Sequence, residues 1–320
     1  MGAVRGVGFP SIARMRVVSL LPSATEILCR IGAEDLLVGR SHECDFPASV
    51  GDRPVLTSQV THGQTSAEID RQVREALGGA GGSALYRLDE ALLRQLRPDL
   101  ILTQDLCDVC SIDLRTVQRV AAEMPAPPAI VSLNPSTVMQ VLDDVLRVGD
   151  AVGRGPQAQR AMVELRDAYW SAVDFVNPYV PGPEVLFLEW CDPPFGGGHW
   201  TPELVHAAGG RHALGLPGQK SRQLTAEEIL EAAPERVVIC PCGFGLERAW
   251  AELEVLRRTR WWPLLPAVID AKPGSIVVVD GNRMFNRPGP QLVDAFRWLV
   301  GWLNDRPEVV PPGFPVRAAC

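Results

Sequence analysis

One stretch decides the fold: NPSTVMQVLDDVLRVGDAVGRGPQAQRAMVELRDAYWSAVDFVN, residues Asn134–Asn177. Asn134-Pro135-Ser136 opens it and Asn177-Pro178 closes it, with Pro where a helix tolerates it or must stop. Inside, Val138, Val141, Leu142, Val145, Leu146 and Val148 recur at helical spacing. After a break at Gly153-Arg154-Gly155-Pro156, Ala158, Ala161, Met162, Leu165, Ala168, Ala172 and Val176 do the same. The pattern predicts a shorter helix that belongs to the first half of the chain, then a longer one over about 156–176. At 1.5 Å per residue the longer helix runs roughly 30 Å, enough to tether one lobe to another.

The flanks of this tether look alike. Before it stand four apolar strand candidates, Arg16–Leu20, Leu36–Gly39, Leu100–Thr103 and Ala129–Leu133. After it stand Glu184–Leu188, a weaker His212–Leu216, Arg236–Cys240 and Ser275–Val279. In each half the first strand leads through a loop into a short helix, one ending at Ile31-Gly32-Ala33 and the other at Ala207-Ala208-Gly209-Gly210. The third strand is introduced by an acidic amphipathic helix and a Pro-acid pair, Pro98-Asp99 in one half and Pro234-Glu235 in the other. Two copies in the same order predict a two-lobed α/β protein with a cleft. The expected layout is an N-terminal lobe over 16–154, a bridging helix over 155–178, a C-terminal lobe over 179–305 and a tail over 306–320.

A chain of 320 residues fits two domains, and 46% hydrophobic with 22% charged residues is a globular balance. A net charge of −7 without a basic cluster argues against nucleic acid as a partner. No apolar run reaches membrane-span length, so membrane insertion is not expected. Met1–Arg14 has no continuous apolar core, and Pro22 ends the short run Val17–Leu21, so no secretory signal is visible. The expectation is a cytoplasmic protein as written, or a periplasmic one if a leader precedes it. Met15 is an alternative start, because the patterned sequence begins at Arg16.

The loops that follow the strands carry the chemistry. Ser23 and Glu26 have capping-box spacing, which places a helix N-terminus either at the cleft or in a plain cap. Ser41-His42-Glu43-Cys44-Asp45 is either a ligand contact or a polar turn. Gln104-Asp105-Leu106-Cys107-Asp108-Val109-Cys110 carries a C-x-x-C that reads as a redox pair, half of a metal site or two packed thiols. A carboxylate between the thiols disfavours the thiolate, and a cleft-lining role is preferred. In the second half, Glu189–Glu203 presents Trp190, Phe195, His199 and Trp200 on an irregular Pro/Gly-shaped loop, suited to burying a large flat ligand. Cys240-Pro241-Cys242-Gly243-Phe244 and Asp280–Pro290, with Phe285 and Arg287, complete the set. Facing lobes would bring Cys44, Cys107, Cys110, Cys191 and Cys242 together, a candidate metal or iron–sulfur site. Thr61-His62-Gly63 reads as surface. No Ser-His-Asp order, HExxH or Walker sequence is present, so nothing argues for an enzyme.

At Val18-Ser19-Leu20-Leu21-Pro22-Ser23-Ala24-Thr25-Glu26, His42-Glu43-Cys44-Asp45, Pro98-Asp99-Leu100-Ile101, Glu189-Trp190, Gly198-His199-Trp200 and Arg287-Pro288-Gly289-Pro290 the chain resembles a known family. It is similar there to the cobalamin-binding branch of the class III periplasmic substrate-binding proteins of ABC importers, over about 16–304. The resemblance implies two Rossmann-like lobes joined by a single long helix, limited closing motion, a small-molecule ligand in the cleft between the lobes and an ABC-transporter permease as partner. It also implies a corrinoid such as cobalamin as ligand, with Trp190, His199, Trp200 and Phe285 as contacts. Together with the loop residues Ser23, His42, Cys44, Gln104, Phe244 and Arg287, these are the candidate ligand-binding side chains; Cys107, Cys110, Cys191 and Cys242 are the candidate metal ligands. The competing reading is a cytoplasmic metal, iron–sulfur or thiol protein that reuses the binding-protein fold.

Overall fold

Short apolar runs bounded by turn residues become buried parallel strands, because helices cover both faces of the sheet they form. The computed structural model describes residues 15–78, 85–105 and 112–319. The first lobe runs β1 (Val17–Ser19), α1 (Pro22–Arg30), β2 (Leu37–Arg40), β3 (Thr57–Gln59), α2 (Ser66–Gly78), β4 (Tyr86–Leu88), α3 (Glu90–Leu96), β5 (Leu100–Thr103), α4 (Leu114–Ala122), β6 (Ala129–Ser132) and α5 (Val138–Ala151). Its sheet has the order β2-β1-β5-β6, all parallel. β3 and β4 form a separate antiparallel pair that their three-residue lengths left invisible in the sequence.

The tether is α6 (Gly155–Val173), slightly shorter than its apolar pattern. The second lobe runs β7 (Val185–Cys191), β8 (Pro194–Gly196), α7 (Thr201–Ala207), α8 (Ala226–Ala232), β9 (Arg236–Ile239), α9 (Leu246–Arg257), α10 (Pro266–Ile269), β10 (Ile276–Val279), α11 (Gln291–Leu303) and β11 (Val316–Ala318). The sheet order is β11-β10-β9-β7-β8, with β7, β9 and β10 parallel. Two expectations fail here. His212–Leu216 is not a strand: β7 turns straight back into antiparallel β8, which takes the edge, and only a Glu184–Arg211 bridge remains. His212 is instead buried, donating from Nδ1 to the Val185 carbonyl at 2.9 Å. The expected tail returns as β11 on β10, and Phe314 stacks on Trp298 at 4.9 Å, so it belongs to the lobe.

The internal repeat is physical. Asp89 and Thr225 cap α3 and α8, accepting from Leu92 N and Glu228 N. Both helices end on a left-handed residue directly before proline, Arg97 (φ 44°) and Ala233 (φ 46°). The helices α1 and α7 both carry proline in their first turn, Pro22 and Pro202, and stop at a left-handed glycine, Gly32 or Gly209. The capping box expected at Ser23 and Glu26 does not form: α1 starts at Pro22, which puts Leu21, two residues before Ser23, at the cap position, and has no side-chain cap.

One apolar cluster runs through both lobes and the tether. It includes Leu28, Val141 and Val145, then Ala158, Leu165 and Tyr169 of α6, then Val205, Phe296 and Leu299. α6 packs its first half on α5 and its second on α11. A Cβ on Gly149 would meet the Ala158 Cβ at 2.2 Å, so only glycine permits this helix approach. At the other end Tyr169 stacks on Phe296 at 4.2 Å. No helix among the described residues is long and apolar enough to cross a membrane.

Candidate functional site

In open parallel sheets ligands bind beyond the carboxyl ends of the strands. There the first lobe offers the loops after β1, β2, β5 and β6, and the second the loops after β7, β9 and β10.

The 280–290 loop joins the lobes on one side. Arg287 is 6% exposed; its Nη1 donates to Asp45 Oδ1 at 2.8 Å and Glu26 Oε1 at 3.4 Å, and its Nη2 to the Glu43 carbonyl and Asn282 Oδ1 at 3.1 Å. Asn282 Nδ2 donates to Asp45 Oδ2 at 2.7 Å, and the Arg283 guanidinium lies 4.0 Å over the Phe46 ring. Burial works against the Asp45 carboxylate, but Arg287 beside it outweighs burial and holds its pKa below the usual range. Glu26, more deeply buried, is pushed up by desolvation despite Gln291 and Arg287. The expected ligand-binding Arg287 is thus a lobe-to-lobe bolt, and Ser23 is buried beneath the same loop against Gly289.

The aromatic loops divide into buried and half-buried members. Phe285 adopts φ 62°, a left-handed value of order 1–3 kcal/mol for a side-chain-bearing residue. This turns its ring inward between Phe187 and Trp298 and its carbonyl toward Trp200, whose Nε1 donates to it at 2.6 Å. Phe244 is buried with its ring edge-on to Trp190 at 5.3 Å. Trp200, Phe244 and Phe285 therefore stand in the core, where the loop reading had expected them at a ligand. Trp190, Phe195 and His199 are the half-buried members. His199, at φ 51°, donates from its backbone N to Gln219 O at 2.6 Å, and its ring lies over Trp200. A Cβ on Gly198 would meet Ser221 N at 2.2 Å, so glycine is required for this close approach.

On the first lobe His42 and Gln104 are half-buried. His42 Nδ1 lies 2.7 Å from Thr57 Oγ1, and its buried Nε2 has no hydrogen-bond partner. Burial lowers the pKa of His42, with Glu43 opposing, and of His199, with Lys220 adding to the effect. Both imidazoles are held toward the neutral form.

Of the five thiols expected together, three lie among the described residues. Cys44 is fully buried, its Sγ accepting from Thr25 Oγ1 at 3.0 Å. Burial drives the pKa of Cys44, Cys191 and Cys240 upward, which keeps them as thiols and poor metal ligands. Cys242 is half-buried. Cys107 and Cys110 lie outside the described residues. Among the described residues no group of three or more His, Cys, Asp or Glu side chains could hold a metal ion.

A second joint between the lobes escaped the sequence reading. The segment after β3 reaches the C-terminal lobe, where Arg248 donates to the carbonyls of Gly63 at 2.5 Å and Gln64 at 3.0 Å and lies 3.6 Å over the Phe244 ring. The buried Glu252 carboxylate accepts from Ser66 N at 3.1 Å and from Ser66 Oγ. A local signal existed in Thr65-Ser66-Ala67-Glu68: Thr65 Oγ1 accepts from Glu68 N, and Glu68 Oε2 from Gln64 N and Thr65 N. Its partners on α9 are far away in the chain. Beside this joint is a cavity of about 510 Å³ lined by Gln59, Thr61, His62, Gln64, Arg71 and Arg248, among others.

No family model matches the chain. It is 24% identical over 296 residues, 92% of its length and 89% of the relative's, to a vitamin B12-binding protein of Photorhabdus laumondii subsp. laumondii. Its structure is similar to a periplasmic heme-binding protein of Roseiflexus sp. RS-1 in apo form (TM-score 0.67, 19% identity, 92% of this chain and 99% of that one). It is similar to the periplasmic vitamin B12-binding protein of Vibrio cholerae as well (TM-score 0.65, 18% identity, 91% and 97%). The chain thus has the two-lobed, helically bridged fold of the periplasmic substrate-binding proteins, and its resemblance to their cobalamin-binding type, carried by its motifs, is matched by a relative of that name.

Proposed function

We propose that the chain is a non-enzymatic substrate-binding protein that holds a tetrapyrrole-type macrocycle between its lobes, a corrinoid such as cobalamin before heme. The observation that carries this reading is the set of half-buried side chains at the carboxyl ends of two sheets joined by a helical tether: Trp190 and His199 on one lobe, His42 and Gln104 on the other. Trp190 supplies a flat apolar face at little entropic cost. Imidazoles held neutral supply the form that coordinates a metal centre inside a bound macrocycle. Cys242 is a further contact on the same rim, while Ser23, Cys44, Trp200, Phe244, Phe285 and Arg287 hold the loops in place. The name of the curated relative favours a corrinoid, and the fold shared with a heme-binding protein makes heme the competitor. A protein of this kind delivers its ligand to an ABC-transporter permease, which places its work in the periplasm once exported.

The test is titration of the purified protein with cyanocobalamin and with hemin, followed by tryptophan fluorescence and by melting temperature. Stoichiometric quenching and a higher melting temperature with cyanocobalamin are expected, because a ligand specific to the folded state stabilises it. Trp190→Ala should weaken binding about tenfold, a loss of about 1.4 kcal/mol. No response to either compound at ~100-fold excess over protein overturns the reading.

A further inference from the structure

Residues 61–76 belong to the first lobe by chain connection and to the second by contact. The segment leaves β3, whose Thr57 hydroxyl holds the His42 backbone and ring, and crosses to the carboxyl end of the C-terminal sheet. There Ile69 packs into the apolar cluster that includes Trp190, Cys191 and Phe244, and α2 touches β7. These are the strand ends that a ligand between the lobes must face. The segment therefore lies across the second lobe's share of the cleft.

Its attachments are few and polar. Arg248 grips two backbone carbonyls, Glu252 holds the first residue of α2 through N and Oγ, and Arg74 reaches Gln223 at 3.3 Å. Apart from Ile69, Val73 and Ala76, the strap side chains around this joint are polar or exposed; the cavity of about 510 Å³ opens beside Gln64, Arg71 and Arg248, while Ser66 and Glu252 are buried. A joint of a few discrete polar contacts opens locally, whereas a continuous apolar core does not. The Thr65–Glu68 capping box is internal to the strap and survives its detachment, so α2 can move as a formed helix.

We propose that this strap is the gate of the cleft, latched to the C-terminal lobe by Arg248 and Glu252 and released to admit the ligand. The proposal rests on the cleft-binding reading and deepens it. In the free protein, hydrogen exchange of the Ser66 amide, which donates to Glu252 across the joint, should be at least ~10-fold faster in Arg248→Ala and Glu252→Gln than in the wild type, with β7 and β9 unchanged. Arg248 is part of the surface joint and its loss leaves the core intact, which guards against misfolding of the Glu252 variant. Stopped-flow mixing with cyanocobalamin should show association at least ~3-fold faster in both variants, since an unlatched gate raises the competent fraction. Wild-type exchange at Ser66 in both variants overturns the latch. Faster exchange with unchanged association overturns the gate. A wild type that binds neither cyanocobalamin nor hemin sinks the binding reading, while exchange still decides the latch by itself.

Discussion

The lobes meet on two sides, and the two joints are built from different materials. Along α6 the contact is an apolar core continuous from Val141 through Leu165 to Phe296, with the Arg287 bolt buried beside the β2 loop. Along the strap it is two carbonyls, one serine and one isoleucine held by Arg248, Glu252 and the Trp190–Phe244 pair. Burial of contiguous apolar surface is lost all at once and is costly to break, so the first joint acts as an axle. A joint of a few discrete hydrogen bonds has far less to break, so the second can act as a latch. The contrast sets a continuous apolar joint beside a releasable one.

The comparison breaks most visibly at Arg287. Arg287→Ala leaves Glu26 buried without its counter-ion and should cost about 3–5 kcal/mol in chemical denaturation. Adding Glu26→Gln should recover a large part of that loss; a single variant within 1 kcal/mol of the wild type, on the order of a surface ion pair, would show that the bolt is no part of the axle. Leu165→Ala, at the middle of the tether, should cost about 2–4 kcal/mol by opening a cavity in the shared core. A second unfolding transition in that variant would sharpen the picture, because it would mean that the core couples the lobes.

On the latch side Ser66→Ala removes one hydroxyl bond to the Glu252 carboxylate but keeps the backbone bond, and should cost about 1.5 kcal/mol. A loss as large as that of Leu165→Ala would put the strap in the axle class and erase the distinction. The smallest effect concerns acid. Burial lowers the pKa of His212 in the folded state, so as pH falls below the ordinary 6.5 the unfolded chain takes up the proton first and stability declines toward the folded pKa. Glu26, whose folded pKa is raised, acts in the opposite sense over its own range. The urea midpoint should therefore fall between pH 7.5 and 5.5 by less in His212→Gln than in the wild type; equal falls would exclude His212 as the source.

Much of the fold is written locally. Val17-Val18-Ser19, Leu100-Ile101-Leu102 and Val237-Val238-Ile239 announce covered strands because both of their faces are apolar. The tether is legible because Ala158, Ala161, Leu165 and Ala172 repeat along one helical face. The site was less legible. Aromatics in a Gly/Pro-rich loop read as exposed, yet Trp200 and Phe285 turn inward because the Trp200 indole finds a carbonyl 85 residues away. Ser23 and Glu26 had the spacing of a cap, but Glu26 serves Arg287 instead. The strap was missed because Ser66 and Glu252 are separated by 186 residues.

By itself, then, the sequence determined the order of the elements, the duplicated lobe and the helix between them, since hydrophobic periodicity is a property of neighbouring residues. Tertiary structure alone decided which loop side chains remain at the cleft and which become its fasteners. Arg287 and Glu26, 261 residues apart, acquire their meaning only when folding removes both from water. The free energy of a buried polar group depends on partners that no local pattern can name.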